Sequence, residues 1–133
     1  MLGGIYLAYA VLMVVIHPQF LYPFGPDPFE NNDFHQEVIS ERGVTIATAR
    51  GDDPTAVLFF MGNGGALAYF TNTIAAHQSA NRTIAAMEYR GGGGIAGKPS
   101  ETGLKADALV AYDWLASWHD GPIVVHGYSL GTG

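Results

Sequence analysis

With 133 residues, 48% of them hydrophobic and only 14% charged, the chain is long enough for one domain with a buried core. A net charge of -6 and six scattered Lys plus Arg side chains exclude a nucleic-acid partner, because displacing phosphate counterions takes clustered positive charge. The absence of cysteine excludes disulfides, thiolate metal sites and a cysteine nucleophile, and leaves the compartment open.

Met1 to Ile16 is almost wholly apolar, and the first charged side chain is Asp27. Crossing about 30 Å of hydrocarbon takes ~20 residues, so this run is short, with Phe20, Leu21 and Tyr22 available to extend it as an interfacial belt. No Lys or Arg precedes the run, and Ala8-Tyr9-Ala10 lies inside it rather than after it, unlike a cleaved signal peptide. The expectation is an uncleaved single membrane anchor over residues 1–22, helical until Pro18, with a signal peptide or a buried core helix as the alternatives. Asp27, Glu30 and Asp33 come before any Lys or Arg, so positive-inside retention is not evident, which favours an extracytoplasmic place for the rest of the chain. Pro23, Pro26 and Pro28 exclude regular structure over residues 23–33, a linker to a folded domain at 34–133.

Phe34 to Ser40 and Val44 to Ala49 read as two strands of a hairpin around Glu41-Arg42-Gly43. Ala56 to Phe60 is a continuous apolar run of the kind buried on both faces of a parallel sheet. Met61-Gly62-Asn63-Gly64-Gly65 then leads into Leu67, Phe70 and Ile74, whose spacing predicts a helix to about Gln78. The bland reading of that glycine loop is a plain βα turn. The chemical one is that Asn63 and Gly64 aim backbone N–H groups at a developing oxyanion, aided by the helix start.

Thr83 to Glu88 is a further strand, followed by Tyr89-Arg90 and four glycines. Gly92 to Gly97 fits G-x-G-x-x-G and Gly92 to Lys98 fits G-x-x-x-x-G-K, so a nucleotide-binding reading arises. Pro99 stands where that motif needs Ser or Thr and delays the next helix, which favours a glycine-rich loop. Ser100 or Thr102 caps a helix through about Trp118, with Leu104, Ala108, Ala111 and Leu115 on one face and Lys105, Asp107 and Asp113 toward solvent.

Ile123-Val124-Val125-His126 feeds Gly127-Tyr128-Ser129-Leu130-Gly131. A β-branched run entering G-x-S-x-G suits a strained strand-to-helix turn, in which Gly127 and Gly131 leave room for the following helix to pass. Among 18 glycines the motif also arises by chance as an ordinary loop. The strand before it and the glycine loop upstream favour Ser129 as a nucleophile. The whole order predicts an α/β domain whose sheet is mostly parallel with an antiparallel first hairpin.

Phe60-Met61-Gly62-Asn63-Gly64-Gly65, Glu88-Tyr89-Arg90-Gly91, Gly97-Lys98-Pro99-Ser100, Asp113-Trp114-Leu115 and the serine motif, in that order, resemble the α/β-hydrolase family. The likeness is closest to its single-anchor serine hydrolases of esterase, lipase or acyl-peptidase type, over about Phe34 to Gly133. It implies the N-terminal half of an α/β-hydrolase domain, a truncated fold preceded by an apolar helix. It also implies Ser129 as nucleophile, with an oxyanion hole from the Leu130 N–H and that of Asn63 or neighbouring Gly64. Met61 stands where the family usually has histidine. The implied substrate is a small-molecule or lipid acyl ester, amide or thioester, with no cofactor and no metal. The family's acid and histidine follow its serine, whereas His17, His35, His77 and His119 precede Ser129 and His126 sits at a strand end. The chain is therefore expected to be part of an anchored hydrolase with little activity of its own. The alternatives are a non-catalytic membrane-tethered binding module and a nucleotide-binding protein using Gly92 to Lys98.

Overall fold

The computed structural model describes residues 2–133. Its elements are α1 (Leu2–Leu21), β1 (His35–Val38), β2 (Thr45–Ala49), β3 (Ala56–Phe60), a 3-10 turn (Leu67–Phe70), α2 (Thr71–Ser79), β4 (Thr83–Glu88), α3 (Glu101–Ala116), β5 (Ile123–Gly127) and a second 3-10 turn (Ser129–Thr132). The strands form one sheet in the order β1-β2-β4-β3-β5.

β1 pairs with β2, and β2 with β4, in antiparallel fashion, while β3 runs parallel to both β4 and β5. The sheet is thus mixed rather than mostly parallel. The antiparallel hairpin is as expected, closed by Gly43 at φ +78. The departure arises because the segment after β2 passes over the start of β4. There the Gly51 N–H meets Thr83 Oγ1 at 3.2 Å and the Asp53 N–H meets the Asn81 carbonyl at 2.9 Å. β2 consequently lies beside β4 and not beside β3.

Every residue of β3 and β4 is buried, as continuous apolar runs with both faces covered should be. Strand alternation turns Phe59 and His126 toward α2, where they meet Phe70 and His77. α3 covers the opposite face with buried Ala111 and Leu115, as right-handed crossovers require. Ser100 caps α3, its Oγ accepting the Gly103 N–H at 3.1 Å.

α1 corrects the reading of the N-terminus twice. It continues past Pro18 to Leu21. Proline has no N–H to offer the Val14 carbonyl, and His17 Nδ1 donates to that oxygen instead at 2.8 Å. The purely apolar part nevertheless stops at Ile16, and about 15 residues at 1.5 Å each give roughly 22 Å, short of the ~30 Å of a bilayer interior. Among the described residues no helix is long and apolar enough to cross a membrane. This overturns both the anchor expected at residues 1–22, of which Met1 lies outside the described residues, and the localisation built on it. Nor is α1 a core helix, since most of its side chains are exposed. The proline-rich stretch that follows lacks regular structure, yet Phe29 is buried against Phe34 and Phe24 lies 5.1 Å from the Tyr89 ring.

Two carboxylates are buried at the C-terminal end of β4. Asp107, expected to face solvent, is only 4% exposed. Arg90 holds both its oxygens, with Nε 2.6 Å from Oδ2 and Nη2 on Oδ1, while Arg42 Nε stands 3.8 Å away. The fork ties α3 to the end of the sheet. Glu88 is 6% exposed, and burial pushes its carboxyl up to about 7 against the pull of two backbone N–H groups.

Asp107→Ala should lower stability by about 1–3 kcal/mol in denaturant melts, because Arg90 loses its partner while half-buried. For Glu88, a folded-state value above the unfolded 4.5 means its stabilising contribution is complete below 4.5 and is lost as pH rises through about 7. The melting temperature should therefore fall across that window, and Glu88→Gln should flatten the fall.

Candidate active site

β5 ends at Gly127, Tyr128 is still extended at φ -116 and ψ 122, and Ser129 then turns to φ +50. That left-handed backbone costs a non-glycine residue roughly 1–2 kcal/mol, and a 3-10 turn follows at once. The Gly131 N–H reaches the Tyr128 carbonyl at 3.0 Å, and Thr132 Oγ1 donates to the Ser129 carbonyl at 2.6 Å. A side chain on Gly127 would run into the Gly131 carbonyl, and one on Gly131 into that of Phe60. Both glycines are needed for the chain to double back this closely. Ser129 itself is exposed.

β3 and β5 are parallel neighbours with Phe60 opposite Gly127, so the loops leaving them open at the same end of the sheet. The Tyr128 N–H joins the two ends through the Phe60 carbonyl at 2.9 Å. Gly62 lies so close that a Cβ there would sit 2.9 Å from Tyr128 Cδ1 and 3.4 Å from Ser129 Cβ. The loop bearing Asn63 and Gly64 is thereby set against Ser129. Both residues are exposed, and Gly64 at φ +74 turns the peptide. Leu130 is half-buried against the core. Because α2 proper begins only at Thr71, after the 3-10 turn, a helix start adds little potential at Asn63.

The histidines are engaged elsewhere. His77 Nε2 and His126 Nδ1 are 2.9 Å apart, and His126 also packs on Phe59 at 5.2 Å between ring centres. Burial, then His126 and Arg82, hold His77 below the usual imidazole range. His119 Nε2 donates to the Pro54 carbonyl at 3.1 Å, His17 serves Val14, and His35 lies on β1 at the far edge of the sheet. Among the described residues none is hydrogen-bonded to Ser129, and no cluster of three His, Cys, Asp or Glu could hold a metal ion.

Gly92 to Lys98 does not fit a phosphate. Its loop closes on itself through Gly91 N–H to Ile95 O at 3.0 Å and Ile95 N–H to Gly92 O at 2.8 Å. Gly93 packs directly on the Glu88 carboxyl, and no helix opens until Glu101. A cavity of about 1060 Å³ runs along β5 past Leu104, Ala108 and Val125, and Ser129, Asn63 and Gly64 do not line it. Sequence reasoning missed the contact of Gly62 with Ser129 and the role of Glu88 and Tyr89 beneath the loop. The signal for the latter was their place directly after a buried run.

No family model matches the chain. It is 34% identical over 88 residues to the lysophosphatidylserine lipase ABHD12 of Gallus gallus, covering 64% of this chain and 23% of that protein. An uncharacterised protein of Mycobacterium tuberculosis is 38% identical over 88 residues, 64% of this chain and 31% of its own. The chain thus spans about a quarter of the length of that Gallus gallus lipase and less than a third of the mycobacterial protein. Among solved structures, an α/β hydrolase from Vibrio vulnificus superposes with a TM-score of 0.63 at 25% identity, covering 76% of this chain and 37% of that one. An epoxide hydrolase from Vigna radiata gives 0.59 at 20% identity, covering 77% and 32%. In fold and in these stretches of sequence, the chain is similar to proteins of the α/β-hydrolase fold, a lipase among them.

Proposed function

We propose that Ser129 is the nucleophile of a serine hydrolase acting on acyl esters with a lipid-like acyl chain. The observation that carries the reading is a serine at φ +50 just past β5, packed against a glycine loop that leaves the buried neighbouring strand β3. Ser129 Oγ attacks the acyl carbon, the carbonyl electron pair moves onto oxygen, and the N–H groups of Leu130 and of Asn63 or Gly64 receive that charge. Collapse expels the alcohol with a proton and leaves the acyl group on Ser129, from which water releases it. The lipid class follows the lysophosphatidylserine lipase among the relatives.

The serine proton needs an acceptor, and among the described residues His17, His77, His119 and His126 are bonded elsewhere while His35 lies at the far edge of the sheet. Loss of a base slows such reactions by several orders of magnitude, so these 133 residues should turn over ester barely, if at all. External imidazole can take the role. In high imidazole, p-nitrophenyl butyrate should leave a butyryl adduct on Ser129, read by peptide mass spectrometry and absent in Ser129→Ala. Adducts spread evenly over the serines would overturn the assignment. Gly131→Ala, which drives a methyl into the Phe60 carbonyl, should cost about 1–3 kcal/mol in a denaturant melt and remove the adduct.

A further inference from the structure

Between the buried side chains of Met61 and Leu67 the loop is mostly glycine, so side chains alone do little to fix the path of Gly62 to Gly65. Yet its catalytic reading demands that amides stay aimed at one point, since an oxyanion hole works only when it is preorganised. The restraint comes from the next strand. β4 lies beside β3 with Met87 opposite Phe60, so the residues just past this pair sit beneath the loop.

Those residues are Glu88 and Tyr89, and alternation sends their side chains to opposite faces. Tyr89 Oη donates to the Met61 carbonyl at 2.9 Å, at the start of the loop. Burial, with the Glu88 charge adding to it, holds that hydroxyl well above the usual tyrosine range, so it stays a donor. Glu88 Oε2 accepts the Leu67 N–H at 3.0 Å, at the loop's far end. Its Oε1 takes the Tyr89 N–H at 3.2 Å, which fixes the carboxyl plane. Gly93 at φ +55 lies against this carboxyl where any side chain would collide with it. A lesser brace meets the middle of the loop, where the Gly25 N–H donates to the Gly65 carbonyl at 3.0 Å. The Gly93 N–H in turn donates to the Gly25 carbonyl at 2.8 Å.

We infer that Glu88 and Tyr89 are positioning residues that grip the two ends of the Met61–Leu67 loop and so hold the Asn63 and Gly64 N–H groups against Ser129. Their chemical consequence rests on the hydrolase reading above, whereas the grip itself rests on the bonds just described.

Backbone ¹⁵N relaxation on the whole chain at about pH 8 tests this. In the wild type the amides of Asn63, Gly64 and Gly65 should have order parameters near ~0.85, and in Tyr89→Phe and Glu88→Ala they should fall toward ~0.6. Leu58 and Ala85, inside the sheet, should not change. Glu88→Gln should fall in between, because its amide oxygen can still accept the Leu67 N–H. Loop order unchanged in both Tyr89→Phe and Glu88→Ala overturns the inference. So does an equal loss at Leu58 and Ala85, or a Glu88→Gln loop as loose as that of Glu88→Ala. Phenylboronic acid separates the two readings: it should shift the Asn63, Gly64 and Leu130 amides of the wild type. No shift there, with loops loosened in the variants, removes the hydrolase reading and leaves the grip standing.

Discussion

β3 and β5 run side by side in the same direction, Phe60 against Gly127, and the turn at Ser129 is pressed onto the Phe60 carbonyl. Nothing at the candidate site survives without that contact. It needs a glycine at 131, because any side chain there meets backbone, and it needs β3 to be the immediate neighbour of β5. The second condition is topological. With α2 and α3 on opposite faces, the crossovers after β3 and β4 proceed in opposite directions across the sheet, so β3 ends between β4 and β5. Two loops far apart in sequence then leave the same end a few ångströms apart.

The region beneath that end is where polar chemistry is packed into the core. Glu88 is held by backbone N–H groups, and Asp107 by a two-pronged arginine. The two carboxylates differ in consequence. Asp107 has a full counter-charge beside it and serves as an anchor for α3. Glu88 has only dipoles, so its burial opposes ionisation and pushes its carboxyl up to about 7. A group on that boundary is poorly suited to simple support. Its value lies in the shape that it imposes on the chain above it, which accords with glycines at 92 and 93 packed around its oxygens.

Much of this was legible in the residues, for reasons that can be named. Ala56 to Phe60 and Thr83 to Met87 are apolar without alternation, and each is a strand buried on both faces. Ser100 is followed by a helical pattern, and it is the cap. Asp107 was misread because charge was weighted above position. It falls one turn after Leu104 and one turn before Ala111, on the buried face, and the fork of Arg90, from the end of β4, makes that tolerable. Pro18 was misread because its missing bond was counted and the donor supplied by His17 was not. The parallel bias of the sheet was overestimated because hairpin strands say nothing of which later strand will adopt them. The packing of Phe24 and Phe29 was hidden by prolines, though aromatics in such a stretch were a sign that it is not free of the domain.

β5 has a neighbour on one side only among the described residues, and Val124 and Val125 along it are 51% and 54% exposed. Its outward amides and carbonyls have no protein partner, and the side chains around them are greasy. Such a rim acts as a template. Another strand laid along it gains a ladder of bonds and dries the valines in one step. Among the described residues, the side of the sheet next to the serine corner is thus open to widening by a further strand.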